Sequence, residues 1–194
     1  MTLHKFKMIT KPFWVPTITL IYYSMAAVIN PLIITALIFG WIGDLLLMRG
    51  RKRWFVAGAF SFLIGHLFYI YVFISSAGGL QIFLQHPVLS GILLLPYIGF
   101  IIYFKRLLGQ NVSSVLIAAG FYLSILMLMS YTSLLRVWTV STSSFLLTFS
   151  GTILFIISDS LIGYRNFKRK FKGIGVVIVV TYISAQLLII GGLV

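Results

Sequence analysis

The stretch "FIISDSLIGYR", Phe155–Arg165, sets one aspartate, Asp159, inside a run of apolar and small residues that closes on a cation. In a helix crossing a bilayer, an acid at such a place costs about 2.5–3.5 kcal/mol on an insertion scale. Its presence therefore asks for a reason. The rest of the chain fixes the setting: 60% of its 194 residues are hydrophobic and only 9% are charged, the balance of an integral membrane protein rather than of a soluble domain. Fifteen Lys and Arg stand against two acids. Those two, Asp44 and Asp159, both lie in apolar sequence. So basic a chain invites comparison with nucleic-acid binders, but its cations sit in short gaps between apolar spans, where they follow membrane orientation. No nucleic-acid partner is expected. With no cysteine, the chain offers no disulfide framework, thiolate nucleophile or thiolate metal site.

About 20 apolar residues cross roughly 30 Å of hydrocarbon as a helix. Seven segments fit an all-α polytopic bundle forming a single transmembrane domain over residues 1–194: about 12–29, 31–48, 54–76, 87–105, 111–134, 141–164 and 173–193. The breaks carry Asn30-Pro31, the basic run Arg49 to Arg53, Gly78-Gly79, His86-Pro87, Lys105-Arg106 and the cluster Arg165 to Lys172, all familiar interruptions of apolar helix. The first span lacks a small-residue cleavage site and runs straight into a second, so it reads as a retained helix rather than a signal peptide. Alternate gaps hold 14 of the cations on one side and one, Arg136, on the other. The positive-inside rule then sets the N-terminus in the cytoplasm and the C-terminus outside, in a bacterial cytoplasmic membrane.

Asp44 lies five residues before Arg49 and Asp159 six before Arg165, on two spans that both descend towards the cytoplasm. At 1.5 Å per residue each acid sits about 7–9 Å above the inner basic collar. The words around them also match. "WIGDLLL" and "IISDSLI" align with a small residue, Gly43 or Ser158, before each aspartate and a basic cluster soon after. Spans one to three and five to seven are then candidates for a parallel 3+1+3 repeat, a device known in transporters.

Other polar residues lie on neighbouring spans. "GHLFYIYVF" puts His66 and Tyr69 three apart on one helical face, and "TYISAQLLI" puts Tyr182 and Gln186 four apart on another. Together they form a polar seam from the inner surface towards the bilayer centre. An ionisable residue in a membrane is a functional-site hypothesis by default. Each has a plainer alternative: snorkelling Arg49 or Arg165 pairing the aspartates, an interhelical hydrogen bond for His66, simple packing for Tyr69, and orientation signals for the basic clusters. His66 is the only histidine inside a span, and no pair of ligands shows zinc spacing. Neither a metal nor a cofactor is expected.

Taken in order over nearly the whole length, "TKPFWVP" at Thr10, "LIFGWIGDLLLM" at Leu37, "GHLFYIYVF" at Gly65, "GTILFIISDSLIGYRNF" at Gly151 and "TYISAQLLI" at Thr181 resemble the YhhN family, whose animal members are lysoplasmalogenases. The resemblance implies a membrane hydrolase that cleaves the vinyl ether bond of a lysophospholipid to a fatty aldehyde and a glycerophospho head group. It also implies that Asp44, His66, Asp159, Tyr182 and Gln186 are the recurrent polar positions. Vinyl ether hydrolysis suits two acids. A proton delivered to the alkenyl carbon leaves an oxocarbenium ion for water to capture, a cation of the kind met in glycoside hydrolysis. One aspartate then serves as general acid and the other as base and cation stabiliser, in either assignment, with both carboxyl groups brought to a common cavity. His66 or Tyr182 orients water or ether oxygen. Tyr69, Gln186 and Ser158 line the substrate, and Arg49, Arg51, Arg165 and Lys168 meet its phosphate. The alternative is a proton-coupled transporter that uses the paired aspartates as a relay.

Overall fold

A computed structural model describes residues 3–79, 81–108, 114–167 and 173–194, with side chains over 12–79, 81–103, 117–165 and 173–194. The regular elements among the described residues are all helical: α1 (Leu3–Met25), α2 (Pro31–Leu47), α3 (Lys52–Ser76), α4 (Gln81–Gln85), α5 (Pro87–Leu108), α6 (Ser114–Leu134), a 3-10 turn at Leu135–Trp138, α7 (Thr142–Phe167) and α8 (Ile174–Gly191). Among them, Lys52–Ser76, Ile117–Trp138, Thr142–Arg165 and Ile174–Gly191 are long and apolar enough to cross a membrane, while Pro31–Leu47 and Pro87–Tyr103 are shorter apolar helices. The protein is thus an all-α integral membrane chain, with four helices of spanning length and apolarity among the described residues. Two differences from the sequence expectation are local. The first helix begins at Leu3 and ends at Met25 rather than running over 12–29, and the short α4 sits in what the sequence offers as a gap.

The chain divides into two compact units, the first running to Val72 and the second over Phe73–Leu193. In the first, α1 carries Pro12 and Pro16 within the helix. Proline has no N–H, so Pro16 leaves the carbonyl of Pro12 without its helical donor. The Trp41 indole of α2 supplies one, with Nε1 at 2.7 Å from the Pro12 oxygen. The turn into α2 follows from Asn30-Pro31. Asn30 is the N-cap, its side chain accepts from Leu32 N at 2.9 Å, and its own N–H donates to the Tyr22 hydroxyl at 2.8 Å. Proline at the first helical position loses nothing, since that N–H has no intrahelical partner. Helices α2 and α3 approach through glycine: a Cβ on Gly43 would meet the Phe62 ring at 2.7 Å. The Ser61 hydroxyl ties the pair by donating to Phe39 O at 2.6 Å.

In the second unit, α7 and α8 run antiparallel at close quarters. Gly151 makes this possible, because a Cβ there would lie 2.8 Å from Ala185 O and 2.8 Å from the Ile189 side chain. Small residues permit such approach in a membrane, where packing and hydrogen bonds must do what the hydrophobic effect does in water. A row of buried hydroxyls joins α5, α6 and α7: Tyr97 to Ser130 at 3.1 Å, Thr152 to Ser130 at 3.1 Å, and Ser133 to Thr152 at 3.2 Å. Further along, Tyr131 donates to Ser90 O at 3.0 Å. Tyr131 and Leu135 pack with Ala77 and Ile82, so that α4 closes this end of the unit with apolar surface.

Candidate functional site

Asp44 is buried on α2, 2% exposed. It follows Gly43, against which the Phe62 ring of α3 lies. The same ring stacks on His66, one turn further along α3, with centroids 6.4 Å apart. Glycine before the aspartate therefore draws α3 close to α2. His66 and Tyr69 are both 1% exposed. Tyr69 faces inward with Tyr22 of α1, close enough for the two phenols to interact electrostatically.

On α7, Asp159 is half-buried. It accepts a hydrogen bond at Oδ2 from the hydroxyl of Tyr122 on α6. A phenol aimed at a carboxylate in an apolar bundle is a charge-assisted bond, stronger than one between neutral groups. Tyr182 of α8 is buried and set edge-on to Phe155, with centroids 5.4 Å apart and planes at 85°. Its phenol is near enough to Tyr122 for electrostatic interaction. Helices α6, α7 and α8 thus each contribute a polar group to the Asp159 neighbourhood. Gln186 is buried one turn beyond Tyr182. The Ser158 hydroxyl donates to Ile178 O at 3.1 Å and stitches α7 to α8.

The basic residues occupy different settings. Arg49 and Arg51 are exposed. Trp54 holds two guanidinium groups, Arg49 at 4.2 Å and Arg53 at 5.4 Å from its ring centroid, an aromatic and cationic belt of the sort found at a membrane interface. Arg165 is half-buried in the last turn of α7. Lys168 lies outside the described residues.

Two residues escape the sequence reading. Tyr122 looks like any aromatic in a span, because its partner is 37 positions away. Spacing offers one clue: Tyr122, Leu126, Ser130 and Ser133 recur at three and four residues, marking one helical face. Arg136, which the sequence offers only as the single cation on its set of alternate gaps, is buried, 2% exposed. It donates to Thr148 Oγ1 at 2.5 Å, Ser144 Oγ at 3.0 Å and Gly192 O at 3.2 Å. The carbonyls ending α8 carry partial negative charge, which a cation complements. The Phe73 ring lies beneath the guanidinium, at 5.5 Å.

Among the described residues no group of three or more His, Cys, Asp or Glu side chains gathers as metal ligands. The side chains described above are carboxyl, phenol and imidazole groups held in apolar surroundings. No curated protein and no solved structure matches the chain. The family model described as YhhN matches residues 6–193, and with that coverage the chain belongs to the YhhN family.

Proposed function

We propose that the chain is a membrane-embedded hydrolase of lysoplasmalogenase type, cleaving the vinyl ether bond of a lysophospholipid to a fatty aldehyde and a glycerophospho head group. The observation that carries this is the Tyr122–Asp159 hydrogen bond inside an apolar bundle, with the chain's other acid, Asp44, buried. Family membership supports a membrane enzyme. In the reaction, one carboxyl group protonates the alkenyl carbon distal to the ether oxygen, and the resulting oxocarbenium ion is stabilised by the other as carboxylate. Water attacks the cationic carbon and gives up a proton to that carboxylate. The hemiacetal then collapses to aldehyde and alcohol. His66 and Tyr182 orient water or ether oxygen, Tyr69, Gln186 and Ser158 line the chain-binding face, and Arg49, Arg51, Arg165 and Lys168 receive the phosphate.

The same proposal takes α1, α2, α3, α5, α6, α7 and α8 as seven spans of a single domain, with the N-terminus cytoplasmic and the first and last three spans related as parallel repeats. Short spans such as α2 are compatible with a locally thinned bilayer or with neighbouring protein. The test is release of aldehyde from lysoplasmalogen by the purified protein in lipid. Wild type turns over, while Asp44→Asn and Asp159→Asn each lose about 10²–10⁴-fold in kcat, the usual worth of a positioned acid or base. Full turnover in both variants, or none in wild type, overturns the proposal.

A further inference from the structure

We infer that the turn from α2 to α3 is a binding site for phospholipid headgroups of net negative charge, built from Arg49, Arg51, Lys52 and Arg53 around Trp54. Four cations stand here within five residues, and all four are exposed. Among the described residues they form no ion pair. The chain has two acids in all, and the one nearer in sequence, Asp44, is buried. The turn also concentrates its charge. Gly50, at φ +67°, makes a left-handed bend of the kind glycine adopts at no steric cost. Arg49 before it and Arg53 after it lie over one ring, at 4.2 and 5.4 Å from the Trp54 centroid. The indole attracts each guanidinium, but two like charges on one ring repel. Lys52 and Arg53 open α3, whose first turn holds no acid, so they add to the positive end of the helix dipole instead of offsetting it. An anion bound at the turn relieves each of these repulsions.

The class of anion follows from the place and from the ring. Lys52 is the first residue of a helix long and apolar enough to cross a membrane, so the turn lies at a membrane surface, where lipid phosphate is the abundant anion. Guanidinium groups grip a phosphate oxygen pair through parallel N–H donors. Choline and ethanolamine headgroups bring a cation alongside that phosphate. Such an ammonium group needs a carboxylate or an open aromatic face. The turn has no acid, and guanidinium groups already stand over Trp54. A headgroup without an ammonium is therefore preferred. The inference stands on this turn alone. Where the hydrolase reading also holds, it names the headgroup class that Arg49 and Arg51 meet.

Native mass spectrometry of the full-length protein in a neutral detergent, titrated with phosphatidylglycerol or phosphatidylcholine, tests the inference. Phosphatidylglycerol is expected to bind at least about tenfold more tightly, and Arg49→Gln/Arg53→Gln to lose about ten- to thirtyfold of that affinity, at roughly fivefold per cation near a membrane surface. Binding of phosphatidylcholine should barely change. Lys105→Gln/Arg106→Gln removes as many cations from another basic run and should lose less than about threefold. If the double variant at the turn fails to fold, Arg51→Gln and Lys52→Gln serve in its place, with about fivefold lost in each. Equal affinity for the two lipids, an equal loss in the Lys105→Gln/Arg106→Gln protein, or displacement of the bound lipid by millimolar inorganic phosphate overturns the inference. Aldehyde release is read separately. A protein that binds as expected but releases no aldehyde sinks the hydrolase reading alone, and one that releases aldehyde without a headgroup preference sinks this inference alone.

Discussion

At the scale of single residues, Arg136 is the position where charge and packing can be told apart. Its guanidinium is buried and donates to two hydroxyls and the carbonyl of Gly192, all uncharged acceptors. Isolating a cation from water costs free energy that hydroxyl and carbonyl acceptors only partly offset. The α8 terminus does not depend on Arg136 alone, since Ser144 Oγ also donates to Gly192 O, at 2.5 Å. Arg136→Met, which keeps the volume, is therefore expected to change stability by no more than about 1 kcal/mol. Arg136→Ala leaves a hole and should cost about 2–4 kcal/mol. Thermal unfolding of both in one detergent distinguishes the cases. Equal and large losses would mean that the charge itself holds α7 to α8.

At the scale of elements, glycine decides which helices touch. Gly151 lies against the backbone of α8, so Gly151→Ala should destabilise by about 1–3 kcal/mol and Gly151→Val by more. Gly91 of α5 has open space where a Cβ would go. There Gly91→Ala should be neutral or stabilise by up to about 1 kcal/mol, the helix-propensity gain. A Gly151→Ala variant as stable as wild type, by the same melting assay, would contradict the close approach of α7 and α8. The apolar runs, the Asn30-Pro31 break and both aspartates are legible in the sequence, because hydrophobicity, turn chemistry and rare charge are local signals. Tyr122 and Arg136 are much less so, since their meaning comes from partners on other helices. The first span, set at about 12–29 from its apolar run, misses the helix start at Leu3, because the basic residues before position 12 are outside the apolar run yet lie within α1. Gln81–Gln85 is a single turn and change of helix, too short for any hydrophobic period to register.

At the scale of the whole molecule, a membrane chain with two acids sets one in the shorter apolar helix α2 and the other in the long apolar helix α7, and gives the latter a phenol donor. Such economy is hard to reconcile with anchoring, for which the abundant cations suffice. Carboxyl-driven protonation of a vinyl ether carbon makes a chemical prediction that binding or phosphate recognition does not. Reaction of lysoplasmalogen with the lipid-reconstituted protein in D2O, with the aldehyde trapped as it forms and examined by mass spectrometry, measures that step. One deuterium on the carbon next to the aldehyde carbonyl is the result expected. Aldehyde released without deuterium at that carbon, or no aldehyde at all, would contradict the mechanism.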